Sequence, residues 1–257
     1  MAFLIGLLGG IFGGFVGLGG AAITIPLMVD VLKIDQHRAH GTNLVIIVFT
    51  GIAGGIAYGL KGAIDVTAAV LLAAPAIITT RAGCHFAHSL PEWKLKRSFG
   101  YFLIFVSLLL LSKPYLPRIH GMEMGWPEAL VLLSTGVFVG FLSGMMGVGG
   151  GILMVPAMVL LTGFTQHMAQ GTSLLAMAPI GSVGAYTHWK LGNVKTDILA
   201  GMITGILIGA GLGGTFAHYF SEGALRVAFA AVLIWTGARY VRAKEPLDAT
   251  DGTICMP

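Results

Sequence analysis

Residues 1–29, 39–60 and 129–189 contain no Asp, Glu, Lys or Arg. Charge-free stretches of this length cannot be folded so that charge covers every water-facing surface. Only 10% of the chain is charged and 56% is hydrophobic, whereas a soluble domain carries about 25% charged residues. Several of the apolar runs reach the roughly 18–20 residues that span a bilayer. Inside lipid the backbone must satisfy its own hydrogen bonds, which leaves helices or a closed barrel. The runs are continuous rather than alternating, which disfavours a barrel. The fold class expected is an all-α polytopic membrane protein. The net charge of +4 is not a nucleic-acid signature, because the basic residues are scattered between apolar runs. Cys84 and Cys255 form no disulfide framework. The N-terminus lacks the positive region of a secretory signal and reads as the start of the first membrane helix.

The chain repeats itself. A shift of 130 aligns its halves without a gap. Pro26 falls on Pro156, Gln36-His37 on Gln166-His167, Gly41-Thr42 on Gly171-Thr172, and Phe86-Ala87-His88 on Phe216-Ala217-His218. The expected organisation is a first repeat over 1–112, a connecting loop over 113–128, a second repeat over 129–243 and a flexible tail over 244–257. Each half holds five apolar segments, at about 2–17, 20–33, 42–60, 64–90 and 98–112, then 129–147, 150–163, 172–190, 196–220 and 223–241. The first two of each set are short, and either cross fully or form a re-entrant pair. In both cases a half crosses an odd number of times, so the second half is inverted relative to the first. Loop charge agrees. Inversion places ten basic residues on one side and four on the other, while parallel halves would give six and eight. The ten-charge side is expected to be cytoplasmic, with both termini on it.

Each half is interrupted by a glycine run, Gly14-Phe15-Val16-Gly17-Leu18-Gly19-Gly20 and Gly144-Met145-Met146-Gly147-Val148-Gly149-Gly150-Gly151. Glycine lets the backbone leave helical geometry cheaply. Matched breaks in two halves are the best sequence pointer to a transporter's binding site. The four-residue spacing of Gly6, Gly10 and Gly14 suits close helix packing instead. After each broken pair comes a polar motif, with Thr42-Asn43 in the first copy and Thr172-Ser173 in the second. These residues are expected to cap the helices that follow, whose N-termini would favour an anion. The candidate substrate-binding residues are therefore Gly17, Gly19, Gly20, Thr42, Asn43, Arg81, Gly147, Gly149, Gly150, Gly151, Thr172 and Ser173. Arg81 is the one charge deep in an apolar run. Such a charge has a task, which is either to contact the substrate or to snorkel to a membrane face. His37 and His167 are expected in polar loops, and His88 and His218 at helix ends. No tight ligand cluster points to a metal, and no cofactor is expected. Cys84 reads either as a small apolar filler or as a contact for a sulfur substrate.

Gly17-Leu18-Gly19-Gly20 with Pro26, His40-Gly41-Thr42-Asn43, Gly147-Val148-Gly149-Gly150-Gly151 with Pro156, and Gln170-Gly171-Thr172-Ser173 resemble the duplicated motif of the TauE/SafE family of sulfite exporters and sulfonate permeases. The resemblance covers roughly residues 3–241. It implies a sulfur-containing anion as substrate, such as sulfite, thiosulfate or an organosulfonate. Asn43 departs from the Ser expected at that place. The function expected is a secondary transporter of such an anion in the cytoplasmic (inner) membrane, working by alternating access. The alternative is an anion channel with the same site. A membrane-embedded enzyme would need a nucleophile or a ligand set at one depth, so the protein is not expected to be an enzyme. Its partners would be the small anion and the lipid bilayer, and a glycine-lined helix face could support a homodimer.

Overall fold

The computed structural model describes residues 1–86, 92–112, 126–147 and 149–242. The described residues form ten α-helices. They are α1 (Ala2–Val16), α2 (Ala21–Asp30), α3 (Gln36–Gly59), α4 (Val66–Phe86), α5 (Glu92–Ser112), α6 (Trp126–Met146), α7 (Gly151–Ala157), α8 (Gln166–Lys190), α9 (Leu199–Ala217) and α10 (Glu222–Val241). α7 runs on into a π-helical turn, Met158–Thr162, and a 3-10 turn, Thr196–Ile198, leads into α9. Among the described residues, five helices are long and apolar enough to cross a membrane. The expected loop over 113–128 is helical from Trp126, and 113–125 lie outside the described residues. So do the tail over 244–257 and His88.

The glycine stripe Gly6, Gly10, Gly14 is a packing seam, as its spacing suggests. A Cβ on Gly6 would meet the backbone of Met202, on Gly10 that of Ile206 and on Gly14 that of Ala210. The constant offset means that α1 and α9 run parallel with their backbones in near contact. The second half repeats the arrangement with Gly136 against Leu72, Gly140 against Ala76 and Gly144 against Thr80, so α6 runs parallel to α4. The first helix of each half is therefore seated on the fourth helix of the other half.

The third helices of the two halves, α3 and α8, pack on each other antiparallel. Gly41 meets His188, Gly184 meets Leu44, Gly181 meets Ile47, and Gly51 meets Ala178. α5 and α10 are also antiparallel, with Gly100 against Gly237 and Val241. These contacts gather Lys33, Arg38, Arg97, Lys190, Lys195, Arg239 and Arg242 at one end of the helices. Among the described residues Lys61 and Arg226 lie at the other.

The left-handed backbone positions repeat as well. Gly17, Gly19, Gly20 and Gly62 have positive φ, as do Gly147, Gly149, Gly150 and Gly192. Lys33 (φ 53°) stands at the place of Gly163 (φ 76°).

Candidate functional site

The left-handed glycines fold each break back on itself. α1 ends at Gly17, and α2 starts from Gly20 and runs antiparallel to α1. A Cβ on Gly13 would strike the Gly20 backbone, and one on Gly9 the Thr24 side chain. α2 has 10 residues, about 15 Å at 1.5 Å per residue, half of a roughly 30 Å hydrocarbon core. α7 with its π turn is the equivalent half-length piece. The two turns meet in the interior. The Gly17 carbonyl lies against Gly151, Ile47 packs beside Gly19 and Gly149, and the repeat-related Met177 packs beside Gly19 and Gly151.

Each turn is held by the other half. The Asn43 Nδ2–H donates to the Gly147 carbonyl at 2.8 Å. The Ser173 hydroxyl donates to the Gly17 carbonyl at 3.1 Å. The Lys195 N–H donates to Thr42 Oγ1 at 2.9 Å, and the Asp65 N–H to Thr172 Oγ1 at 3.0 Å. All four side chains are fully buried. The two threonines clamp the loop after α8 and the loop after α3 to the start of the opposite half's long helix.

They do not cap helices. α3 begins at Gln36 and α8 at Gln166, six residues earlier than Thr42 and Thr172. The caps are Asp35, which accepts from the His37 N–H, and Thr165, which accepts from the Met168 N–H. Gly41 and Gly171 stay helical because backbone of the other half packs where a side chain would stand, at Asn193 and at Ala63. The same shift moves His37 and His167 out of the expected loops and into first helical turns. His218 does sit at a helix end, as the residue that closes α9. Its ring lies 5.2 Å from that of His167 and 4.8 Å from that of Tyr58.

Asn43, the departure from the family pattern, has a local cause. Its Oδ1 accepts from the Thr24 hydroxyl, which also bonds the Gly20 carbonyl. The residue that matches Thr24 is Met154, so in the second copy there is no hydroxyl to answer, and the shorter Ser173 suffices. Sequence reasoning missed Thr24, and it missed Tyr58, whose buried hydroxyl donates to Gln170 Oε1 at 2.9 Å. The available signal was a polar residue at one position of a repeat whose partner position differs, Thr24 against Met154 and Tyr58 against His188.

Arg81 is not drawn into this cluster. Its side chain is exposed on the outer face of α4, five residues before the helix ends at the basic end of the molecule. Cys84 is a free, buried thiol beside Gly144 in the α4–α6 seam. Among the described residues no group of three metal-ligating side chains occurs.

Long apolar helices, closely packed glycine seams and a polar clamp on two broken segments define a polytopic α-helical membrane protein of transporter type. Residues 2–240 match the family model for the sulfite exporter TauE/SafE, and the chain belongs to that family. It is 26% identical to "Probable membrane transporter protein YunE" of Bacillus subtilis, over 93% of this chain and 95% of that one. It is 28% identical to a "Probable membrane transporter protein" of Xylella fastidiosa, over 91% of each. No solved structure matches the chain.

Proposed function

We propose that the protein is a secondary transporter of a small sulfur-containing anion (sulfite, thiosulfate or an organosulfonate), and that its halves are inverted in the cytoplasmic membrane. The observation that carries the reading is the meeting of the two glycine turns, each held by a side chain of the opposite half. The antiparallel packing of the equivalent helices α3 and α8 supports the inversion, since equivalent helices of parallel halves would point the same way. Half-length helices whose N-termini meet inside the protein suit an anion, because their free N–H groups and positive dipole ends are turned inward. In this reading the anion is taken between Gly17, Gly19, Gly20 and Gly147, Gly149, Gly150, Gly151, and released as the halves rock about the α3–α8 pair. Thr42, Asn43, Thr172 and Ser173 hold the frame of the site. Arg81 reaches from the outer face of α4 to the nearby membrane surface. The basic end faces the cytoplasm, and the start of α1 and the end of α10 lie there.

Uptake by proteoliposomes tests the reading. Saturable flux of sulfite or a sulfonate is expected. No saturable flux of either refutes the substrate class, and linear, channel-sized currents refute alternating access. Cysteine labelling from each side tests the orientation: Lys33→Cys and Lys195→Cys are expected to label from the cytoplasm, and Lys61→Cys from outside.

A further inference from the structure

A chamber of about 120 Å³ lies between α2, from Ala21 to Val29, and the last turns of α10, with His40 of α3 also in its wall. Its walls include Ala21, Ala22, Pro26, Thr236, Arg239 and Tyr240. A water's share of liquid volume is about 30 Å³, so the space suits a few waters or one four- to five-atom ion.

Its chemistry is unlike that of its counterpart. The equivalent cleft of the other half is lined by Val106 and Pro156, where this chamber has Thr236 and Pro26. The residues matching Arg239 and Tyr240 are Leu109 and Leu110. A repeat that keeps its glycine turns, its left-handed positions and its cross-half bonds has changed three neighbouring positions to polar groups on one side.

Thr236 is the telling residue. Thr50, Thr80, Thr162, Thr187 and Thr215 each donate to the carbonyl four residues back, the usual resort of a hydroxyl on an apolar helix. Thr236 is 4% exposed, and its hydroxyl has no hydrogen-bond partner. A buried hydroxyl left unmet costs about 1–3 kcal/mol. It lines the same space as the apolar Ala21, Ala22 and Pro26. Arg239 completes the set. It faces Asp30 at 3.6 Å, with both side chains substantially exposed, a pairing too long for a charge-assisted hydrogen bond of about 2.8 Å and weak at such exposure.

The geometry points to this chamber as a binding site for a small free oxyanion, one sulfur or phosphorus centre with its oxygens. The Thr236 hydroxyl and the Arg239 guanidinium hold it. The site is distinct from the meeting place of the glycine turns, because it lies on the flank of α2 that faces α10, toward the basic end. The Asp30 carboxylate competes with the anion for Arg239.

The test is equilibrium binding of sulfite and of inorganic phosphate to the full chain in maltoside micelles without phospholipid. Saturable binding of at least one anion is expected. Thr236→Val is expected to weaken it about tenfold and Arg239→Gln by tenfold or more, as for hydrogen bonds to a charged group. Thr236→Ser keeps the hydroxyl and should bind as the parent does, and Asp30→Asn should bind severalfold tighter. Val106→Thr, in the counterpart cleft, should change nothing. Melting without anion checks that each variant is folded. The proposal is overturned if the parent binds neither anion, if Thr236→Val binds like Thr236→Ser, or if added phospholipid displaces the anion, which would make a lipid phosphate the occupant. Saturable parent flux with unchanged affinity in the variants removes this site and leaves the transport reading standing. Binding without flux does the reverse.

Discussion

Gly10→Ala perturbs the middle of the α1–α9 seam. A Cβ at Gly10 would stand 2.8 Å from the Ile206 carbonyl oxygen, 2.9 Å from the Ala210 nitrogen and 3.0 Å from the Ile206 Cα. All three are backbone atoms, so no rotamer change relieves them, and the helices must part by about 0.5 Å or more to reach ordinary contact. Overpacking of this kind costs about 1–3 kcal/mol, against a gain of up to about 1 kcal/mol for replacing a helical glycine. Gly211 on α9 is the matched control, because a Cβ there meets nothing within 4 Å, and only the gain applies. Gly10→Ala should therefore melt lower than the parent, and Gly211→Ala no lower, in detergent at one fixed scan rate. The expected separation is about 1–3 kcal/mol, and each kcal/mol moves the midpoint by about 2–4 °C in a chain of this size. If Gly10→Ala is as stable as Gly211→Ala, the backbones do not approach as described, and the seam is not what holds α1.

Three further outcomes follow from the clamp and the turns. Thr24→Met and Asn43→Ser should each destabilise by about 1–3 kcal/mol, since each leaves a buried partner unanswered. The double variant reproduces the second copy's Met154 and Ser173, and should recover about 0.5–3 kcal/mol of coupling in a double-mutant cycle; strict additivity would refute the pairing. Thr42→Val and Thr172→Val remove equivalent bonds, and denaturation should show similar losses of about 1 kcal/mol each; a large inequality would count against their equivalence. Lys33→Gly relieves a left-handed side-chain residue and should stabilise by about 1–2 kcal/mol, while Gly163→Ala should cost a similar amount in the same melt.

The breaks were readable because three left-handed positions in four residues call for glycine, and glycine stands there twice. The seams were readable from four-residue spacing. The starts of α3 and α8 were not. Gln-His-Arg and Gly-Thr look like loop and cap in isolation, and only the backbone at Asn193 and Ala63, far along the chain, explains why glycine is kept inside a helix there. Asn43 looked like an irregularity because its reason, Thr24, lies in a neighbouring helix. Arg81 had two readings because a sequence gives depth along a helix but not which way a side chain faces.

The exchanged seating of the first helices bears on how the protein is made. α1 leaves the ribosome well before α9, yet the surface that receives Gly6, Gly10 and Gly14 belongs to α9, so α1 waits in lipid with its bare glycine edge uncovered until α9 has been inserted. Contacts closed over such a span form slowly. A chain stopped short of α9 would lack α1's landing place, and membrane quality control would meet it as an orphan, however well its own first half is composed.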